Sequence, residues 1–223
     1  MNLFDYLSDF PPYLGEEWRE LLDLTIDHAQ VVLVALLFAT VVGVGLGVAT
    51  YRRPRAAKIV LSISATFLTI PSYALFGLFV AVFGLDQMYY ATLLALVMYS
   101  LLPIVRNTIT GLRGVDPAIT ESALGMGLSD WQRMRRIELP MAWPVILAGI
   151  RVSMLLIVGI AAIAAVVNGP GLGNPMFRAL SRAGLQSGFN LVFSATLAII
   201  ALALLLDLAV SLLARLTTSK GLR

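Results

Sequence analysis

The sequence predicts an all-α integral membrane protein with about five transmembrane helices. Of its 223 residues, 59% are hydrophobic and only 13% are charged, and the mean hydropathy of +0.87 is too high for a soluble domain. Apolar segments of the roughly 20 residues that a bilayer core requires recur along the chain. Charged residues gather between these segments, so we expect one membrane domain with polar loops.

Composition excludes several kinds of function. The chain has no cysteine and a single histidine, His28, which excludes disulfides, thiolate nucleophiles and most imidazole chemistry. It contains neither the GxxxxGKS nor the GxxxxGKT motif that cradles ATP phosphates, and it lacks the Ser–His or paired-Asp arrangement of an intramembrane protease. We therefore expect no catalytic residue, metal site or cofactor on this chain. We also expect no nucleic-acid partner, because membrane topology explains the net charge of +3.

Residues 1–28 are predicted to form an acidic lead-in outside the membrane. A signal peptide would need a basic start and a small-residue cleavage site, whereas residues 1–23 carry mainly acids: Asp5, Asp9, Glu16, Glu17, Glu20 and Asp23. The first span follows at about 29–51. Because Gly43 and Gly47 lie inside this span and follow no strand, they predict a close helix–helix contact and not a dinucleotide-binding loop.

Prolines occur in the second and third spans, which are predicted at about 59–83 and 90–105. In a membrane, backbone groups freed by proline are tolerated where protein or a water-filled cavity satisfies them. These spans are therefore compatible with a translocation path or with simple packing kinks. The residues predicted beside the path are kinked or polar positions in otherwise apolar helices: Pro71, Ser72, Tyr73, Tyr99, Ser100 and Pro103.

Residues 121–140 form a charged island between two apolar segments. Just before it, Asp116 and Pro117 predict the N-cap and the first residue of a short helix that runs through Met126. Gly127 is placed to end that helix, since glycine adopts positive φ at low cost.

A second short helix is predicted immediately afterwards. Ser129 and Gln132 have the spacing of a capping box, and Pro140 is expected to end the helix. The two short helices would meet at an elbow and form a knob that is able to dock into a groove on another protein.

The fourth and fifth spans are predicted at about 144–167 and 191–213, and each contains a charge. Arg151 lies only about 10 Å above the start of its span at the rise of an α-helix, which suits snorkelling to the interface or a gate. Asp207 is an intramembrane acid, hence a functional candidate, but without a second acid it suits a partner for a nearby arginine. The sequence leaves open whether the two residues pair or gate.

The segment between these two spans is predicted to lie outside. Residues 168–175 are dense in glycine, proline and asparagine, which indicates a loop, and 176–187 are expected to form a short helix on the outer surface where a delivery protein would touch. The predicted organisation is thus an external lead-in at 1–28, a transmembrane domain at 29–215 and a cytoplasmic tail at 216–223.

The distribution of basic residues predicts the orientation. Five spans place the termini on opposite sides, and an external N-terminus leaves twelve of the 16 basic residues in cytoplasmic segments, in agreement with the positive-inside rule. Those twelve are Arg52, Arg53, Arg55, Lys58, Arg106, Arg113, Arg133, Arg135, Arg136, Arg215, Lys220 and Arg223. The charged island between spans three and four would then be cytoplasmic.

The same island carries a spaced motif. Glu121-Ser122-Ala123, three further residues, Gly127, nine further residues and then Ile137-x-Leu139-Pro140 resemble the EAA loop of permease subunits in binding-protein-dependent ABC importers, whose pattern is EAA-x3-G-x9-I-x-LP. The departure is Ser122, a small residue where the family usually has alanine. The resemblance implies that these seven residues form a cytoplasmic coupling helix, which transmits closure of the ATPase subunit to the membrane, and that Glu121 pairs with a basic residue of the ATPase.

A wider resemblance points to one kind of importer. Segments over about 30–215 are similar to permeases for glycine betaine, carnitine, choline and related osmoprotectants: Thr69-Ile70-Pro71-Ser72, Leu101 to Thr108, Val115 to Ile119 and Gly149-Ile150-Arg151. It implies a complex in a bacterial cytoplasmic membrane. The complex would hold two ATPase subunits that bind ATP and Mg, a second permease subunit that is identical or paralogous, and an external binding protein. The alternatives are a permease for another small solute such as an amino acid, or a channel.

Overall fold

The computed structural model describes residues 10–218, and in this part of the chain helices joined by short connections form all of the regular structure, with no strand. Its α-helices are α1 Phe10–Thr50, α2 Pro54–Thr69, α3 Ser72–Phe83, α4 Met88–Arg113, α5 Pro117–Gly125, α6 Asp130–Arg133, α7 Leu139–Ile163, α8 Gly173–Leu180 and α9 Gln186–Thr217. Shorter turns complete it: 3₁₀ turns at Leu85–Gln87 and Ala164–Val167, and a π-helical turn at Met134–Glu138 that joins α6 to α7.

The number of candidate spans agrees with the prediction of about five. Four helices in the described part are long and apolar enough to cross a bilayer: α1, α4, the continuous helix Asp130–Val167 and α9. The pair α2 and α3 counts as a fifth if the two helices form one broken span. The all-α membrane architecture is confirmed at this level.

The first span is longer than predicted. The apolar segment at 29–51 is the second part of the 41-residue helix α1, which begins at Phe10. Pro11 and Pro12 fall in its first turn, where a missing N–H costs no hydrogen bond, and no helix breaker separates the acidic residues from the apolar ones. Residues 10–28 of the predicted lead-in are therefore helical, while residues 1–9 lie outside the described part.

The second predicted span is wrong as a single helix. The segment 59–83 is divided into α2 and α3, whose axes are bent by 96°. Pro71 has φ −57° and ψ 132°, an extended conformation that no helix can continue, and the residue before a proline is itself pushed out of the α region. The break falls at Pro71, and α3 starts at the next residue.

Pro103 behaves differently, because α4 runs through it from Met88 to Arg113. The predicted end of the third span near residue 105 is thus eight residues short. The Asn107 amide donates to the carbonyl oxygen of Pro103 at 2.8 Å. A Cβ at Gly149 would lie 2.7 Å from that same oxygen, so close packing against α7 encloses this turn of α4.

Pro140 and Pro144 also fail to end or begin a helix, contrary to the prediction. A continuous helix runs from Asp130 to Val167, with Pro144 inside α7. The π-helical turn precedes Pro140, and the Leu139 N–H bonds the Met134 carbonyl across its wider ring. That widening is a common way for a helix to absorb a local irregularity.

The last part of the chain is helical over different bounds from those predicted. The short helix expected at 176–187 is α8, which begins at Gly173 and ends at Leu180. The fifth span, expected at 191–213, is α9 from Gln186 to Thr217. Residues 216 and 217 of the predicted tail therefore belong to α9, and residues 219–223 lie outside the described part.

The chain divides into two compact units. The first unit comprises the chain up to Ala35, Ile70–Leu96 and Leu155–Leu206. His28 is fully buried in it: one ring nitrogen lies 3.0 Å from the Val158 carbonyl oxygen, and the other accepts from the Leu172 N–H at 3.3 Å. The lone histidine is therefore a satisfied core residue that holds the 168–173 loop on α1.

The second unit comprises Leu36–Thr69, Val97–Met154 and the chain from Asp207. Here α1 packs closely on α4, because a Cβ at Gly43 would lie 2.7 Å from Ile104 and one at Gly47 would lie 2.5 Å from Thr108. Gly45 has nothing within 4 Å of such an atom. The helix–helix contact predicted from the two outer glycines is confirmed.

Candidate functional site

The elbow between α5 and α6 is built as its local sequence predicts. The Asp116 carboxylate accepts from the Ala118 N–H at 2.8 Å and caps α5, with Pro117 as its first residue. Ser129 and Gln132 form a complete capping box at the start of α6. Local side chain to backbone bonds of this kind depend on neighbouring residues alone, which is why the sequence was sufficient.

Gly127 ends α5 through a left-handed turn. Its φ is +78°, its N–H bonds the Leu124 carbonyl at 2.9 Å, and the Leu128 N–H bonds the Ala123 carbonyl at 3.1 Å. These two bonds form a Schellman motif. They set the angle at which α5 leaves α6.

The seven motif residues differ in exposure. Glu121, Ser122, Gly127 and Pro140 are exposed, Ile137 and Leu139 are half-buried, and Ala123 is fully buried. The Ser122 hydroxyl donates to the Ala118 carbonyl within α5, so this serine takes the place of alanine with its polar atom satisfied. Leu124, Met126 and Trp131 project around the elbow with 52%, 70% and 68% of their surface exposed.

A buried carboxylate lies directly behind the elbow. Glu138 is 3% exposed and accepts from the Tyr51 hydroxyl at 2.5 Å, from Arg52 at 2.9 Å and from Arg133 at 2.7 Å. Both arginines also bond the exposed carboxylate of Asp130, at 3.2 Å and 2.7 Å. We call these five residues the Glu138 cluster.

Tyr51 joins the cluster to two helix ends. It follows the last residue of α1, and its carbonyl oxygen accepts from the Arg113 guanidinium at the end of α4, at 2.8 Å. Burial, together with the hydrogen bond to Glu138, raises the pKa of Tyr51 to about 12. The phenol therefore stays protonated and donates to Glu138 throughout the physiological pH range.

An open cleft of about 250 Å³ separates α5 from the cluster. Its lining combines residues of α4, of α5 and of the turn between them with four members of the cluster: Leu112, Val115, Pro117, Thr120, Leu124, Tyr51, Arg52, Arg133 and Glu138. The cluster therefore borders an open cleft and is not sealed inside the protein.

Comparison with known families decides the class of the protein. Residues 39–219 match the family described as binding-protein-dependent transport system inner membrane component. The chain belongs to this family of ABC importer permeases. It is thus a multi-pass membrane component, and membership implies an ATPase, a substrate-binding protein and a second permease as its partners.

Two relatives match the permease over nearly its whole length. It is 38% identical over 226 residues to the osmoprotectant import permease protein OsmW of Salmonella typhimurium, covering 100% of both chains. It is 34% identical over 222 residues to the glycine betaine/carnitine/choline transport system permease protein OpuCB of Bacillus subtilis, covering 97% of both chains.

A solved structure has the same fold. A chain of the MetNI methionine ABC transporter superposes with a TM-score of 0.78, covering 92% of the permease and 99% of that chain at 20% identity. At this identity the likeness concerns the fold alone.

The six residues of the predicted path differ in exposure between the break at Pro71 and helix α4. Around the break between α2 and α3, Pro71 and Tyr73 are exposed, Tyr73 by 65%, and Ser72 is half-buried. In α4, Tyr99 is 2% exposed and Ser100 is fully buried, with its carbonyl accepting from the Ser153 hydroxyl. Pro103 is half-buried beside them.

Arg151 and Asp207 pair. The guanidinium of Arg151 on α7 makes two bonds to the Asp207 carboxylate on α9, at 2.5 Å and 2.6 Å. The parallel geometry is the strong bidentate form of this contact. The alternative that the sequence left open is therefore decided in favour of pairing, although 49% of the arginine side chain remains exposed.

Sequence reasoning missed the Glu138 cluster. Tyr51 and Arg52 lie 87 and 86 residues before Glu138, so no local pattern connects them. Glu138 also occupies the unspecified position between Ile137 and Leu139 of the motif. One signal was available in the sequence. Glu138 is an acid that follows three arginines, Arg133, Arg135 and Arg136, and directly precedes a long apolar segment.

Proposed function

We propose that this permease imports a quaternary-ammonium osmoprotectant such as glycine betaine, carnitine or choline. The observation that carries the proposal is the 38% identity to OsmW, which extends over the full length of both chains. A relative named for glycine betaine, carnitine and choline supports it over 97% of the chain.

The work is divided among several subunits. Two copies of an ATPase bind ATP and Mg and hydrolyse ATP, an external binding protein selects the solute, and this chain with a second permease, identical or paralogous, encloses the path in a bacterial cytoplasmic membrane. Residues 29–215 form the transmembrane domain, with the N-terminal segment outside and the tail at 216–223 inside. The excess of basic residues in the segments assigned to the cytoplasm supports this orientation.

The elbow of α5 and α6 is the coupling element that docks on the ATPase. The spacing of Glu121, Ser122, Ala123, Gly127, Ile137, Leu139 and Pro140 supports this role. The elbow carries the exposed carboxylate of Glu121 and the exposed apolar side chains of Leu124, Met126 and Trp131, which suits a protein partner, because large apolar groups at a docking surface gain from burial there. Ala123 keeps α5 close to its own unit.

The translocation path runs beside the break at Pro71 and along α4. Broken helices frequently line transport sites, because freed backbone groups need a polar cavity or protein around them. The exposed Tyr73 offers a passing cation a weak attraction through its ring. Weak binding is appropriate for a permease that leaves selection to the binding protein.

Reconstitution with the cognate ATPase and binding protein tests the proposal. Proteoliposomes containing the complex would be given radiolabelled glycine betaine, choline, carnitine or methionine, with ATP trapped inside. We expect ATP-dependent accumulation of at least one of the three quaternary-ammonium solutes and none of methionine. Uptake of methionine alone would support the amino-acid alternative, and passive, ATP-independent flux would support a channel.

A further inference from the structure

The Glu138 cluster brings together chain segments that are distant in sequence. Tyr51 and Arg52 follow the end of α1, Asp130 and Arg133 form the ends of α6, and Glu138 closes the π-helical turn. The cluster contains two arginines and two carboxylates, so its formal charges balance. Each bond to an ionised group is stronger and more directional than a neutral hydrogen bond.

Glu138 is the centre of this arrangement because it is the most buried member of the cluster and bonds three others. Its side chain is 4% exposed, while that of Asp130 is 75% exposed. If the Glu138 carboxylate is lost, Asp130, whose side chain is exposed, is the remaining carboxylate bonded to the two arginines. Removing one partner of a buried charged network therefore costs far more than removing an exposed charge.

The location of the cluster suits transmission of movement. It lies immediately after the α5–α6 elbow and before α7, and its bonds tie the α6 end of the elbow to the end of α1. The bonds of the cluster hold α6 and the π-helical turn, whereas α5 faces the cluster across the open cleft. Networks with discrete hydrogen-bonded arrangements are a physical means of coupling separate elements.

We infer that Glu138 is a positioning residue that locks the α5–α6 elbow to the end of α1, so that displacement of the elbow by the ATPase moves α1 as well. This inference rests on the proposed coupling role of the elbow. It assigns to the cluster a function that the spaced motif does not contain, since the motif leaves position 138 unspecified.

The first test measures coupling in the reconstituted complex, with glycine betaine-loaded binding protein. Glu138→Gln keeps the size of the side chain and removes its charge. We expect the variant complex to assemble and hydrolyse ATP while uptake per ATP falls by about tenfold, as expected for loss of charged hydrogen bonds. Glu16→Gln, the same change at an exposed acid of α1 with no bond to the cluster, is the matched control and should behave as wild type.

The second test measures the lock directly. Spin labels on cysteines at positions 53 and 131, both exposed, report the separation between the segment after α1 and the start of α6. In the wild-type background this separation should not change when nucleotide is trapped, because the elements move together. In Glu138→Gln it should change or broaden.

The milder variant Tyr51→Phe guards against a folding defect, because it removes one hydroxyl donor and leaves the charges in place. We expect a smaller loss than in Glu138→Gln, and a double variant no worse than Glu138→Gln alone, since the residues act as one network. Normal uptake per ATP in Glu138→Gln, a nucleotide-dependent separation in wild type, or failure of both variants to assemble would overturn the inference. Failure of the proposed function is distinguishable, because the wild-type complex would then show no ATP-driven uptake.

Discussion

At the level of a single residue, Gly127 shapes the turn between α5 and α6. Its φ of +78° lies in the left-handed region, and nothing lies within 4 Å of where a Cβ would be. A substitution there meets no steric obstacle from the surroundings. Its effect therefore comes from the backbone alone, and it depends on how well the new residue tolerates positive φ.

We predict that Gly127→Val separates ATP hydrolysis from uptake. Valine is β-branched, and the left-handed conformation costs an L-residue about 1–2 kcal/mol, enough to shift the elbow. Membrane insertion should remain normal, because the turn lies outside the apolar part of the helices. The measurement is solute uptake alongside solute-stimulated ATP hydrolysis in proteoliposomes.

Gly127→Asn is the matched control, since asparagine tolerates this conformation better than other non-glycine residues. It should retain most of the coupling. Normal uptake in Gly127→Val would show that the elbow angle is not part of transmission.

At the level of the element, the contact between α1 and α4 depends on glycines, which have no side chain to keep the two helices apart. Gly43 and Gly47 lie where a Cβ would overlap Ile104 and Thr108, while Gly45 between them has open space around it. Three glycines in one stretch therefore have two different roles. Small residues at such contacts let helix backbones approach in a membrane, where association relies on close packing.

We predict that Gly47→Val destabilises the protein by about 1–3 kcal/mol, the usual cost of forcing extra atoms into a packed contact. Gly45→Val should change stability by well under that amount and serves as the control. Thermal unfolding in detergent or nanodiscs measures both. Equal loss in the two variants would mean that α1 does not pack on α4 through this face.

The broken pair α2 and α3 and the continuous α4 make a second element-level prediction. If both line the path, cysteines at 72 and 100 should change their reactivity toward a small polar reagent when nucleotide is trapped. Ser100 is fully buried in this structure and Ser72 is half-buried, so position 100 should gain the larger exposure in the other state.

Tyr73→Ala and Tyr99→Ala should slow uptake without weakening solute affinity of the binding protein.

If neither cysteine changes its reactivity, α3 and α4 do not line the path. Pro71 and Pro103 would then be packing features only. A loss of solute affinity in the isolated binding protein cannot arise from either tyrosine variant, so that measurement serves as an internal control.

For the whole molecule, topology is the property on which the other assignments depend. The acidic start of α1 and the basic segments after α1 and α9 predict an external N-terminus and a cytoplasmic C-terminus. Since the native chain has no cysteine, single cysteines can be labelled in intact cells without background.

We predict that a membrane-impermeant thiol reagent labels a cysteine at position 16 in intact cells but reaches positions 131 and 223 only after the membrane is opened. Trp131 is 68% exposed, so lack of reaction there cannot be attributed to burial. External labelling of position 131 would place the elbow on the wrong side for an ATPase. The coupling role of the elbow would then be untenable.

Properties that depend on nearby residues or on composition could be predicted from the sequence alone. The membrane class follows from hydropathy, and the caps at Asp116 and Ser129 and the turn at Gly127 follow from local hydrogen-bonding rules. The close contact at Gly43 and Gly47 follows from a four-residue spacing that places both on one helix face. The caps and the turn depend on neighbouring residues, and the spacing of the two glycines identifies the contact face of α1, although the partner helix α4 is supplied by the tertiary structure.

Only the tertiary structure shows which prolines break a helix and which charged residues pair, because both depend on residues that are distant in sequence. Pro71 breaks its span while Pro103, Pro140 and Pro144 do not, because the outcome depends on the packing and hydrogen bonds around each proline and not on the residue itself. Arg151 finds Asp207 56 residues away, and Glu138 finds Tyr51 and Arg52 at the end of α1. Such pairs form only when packed helices bring together residues that are distant in sequence, and the buried Glu138 in particular is stable as a charge only with its partners in place.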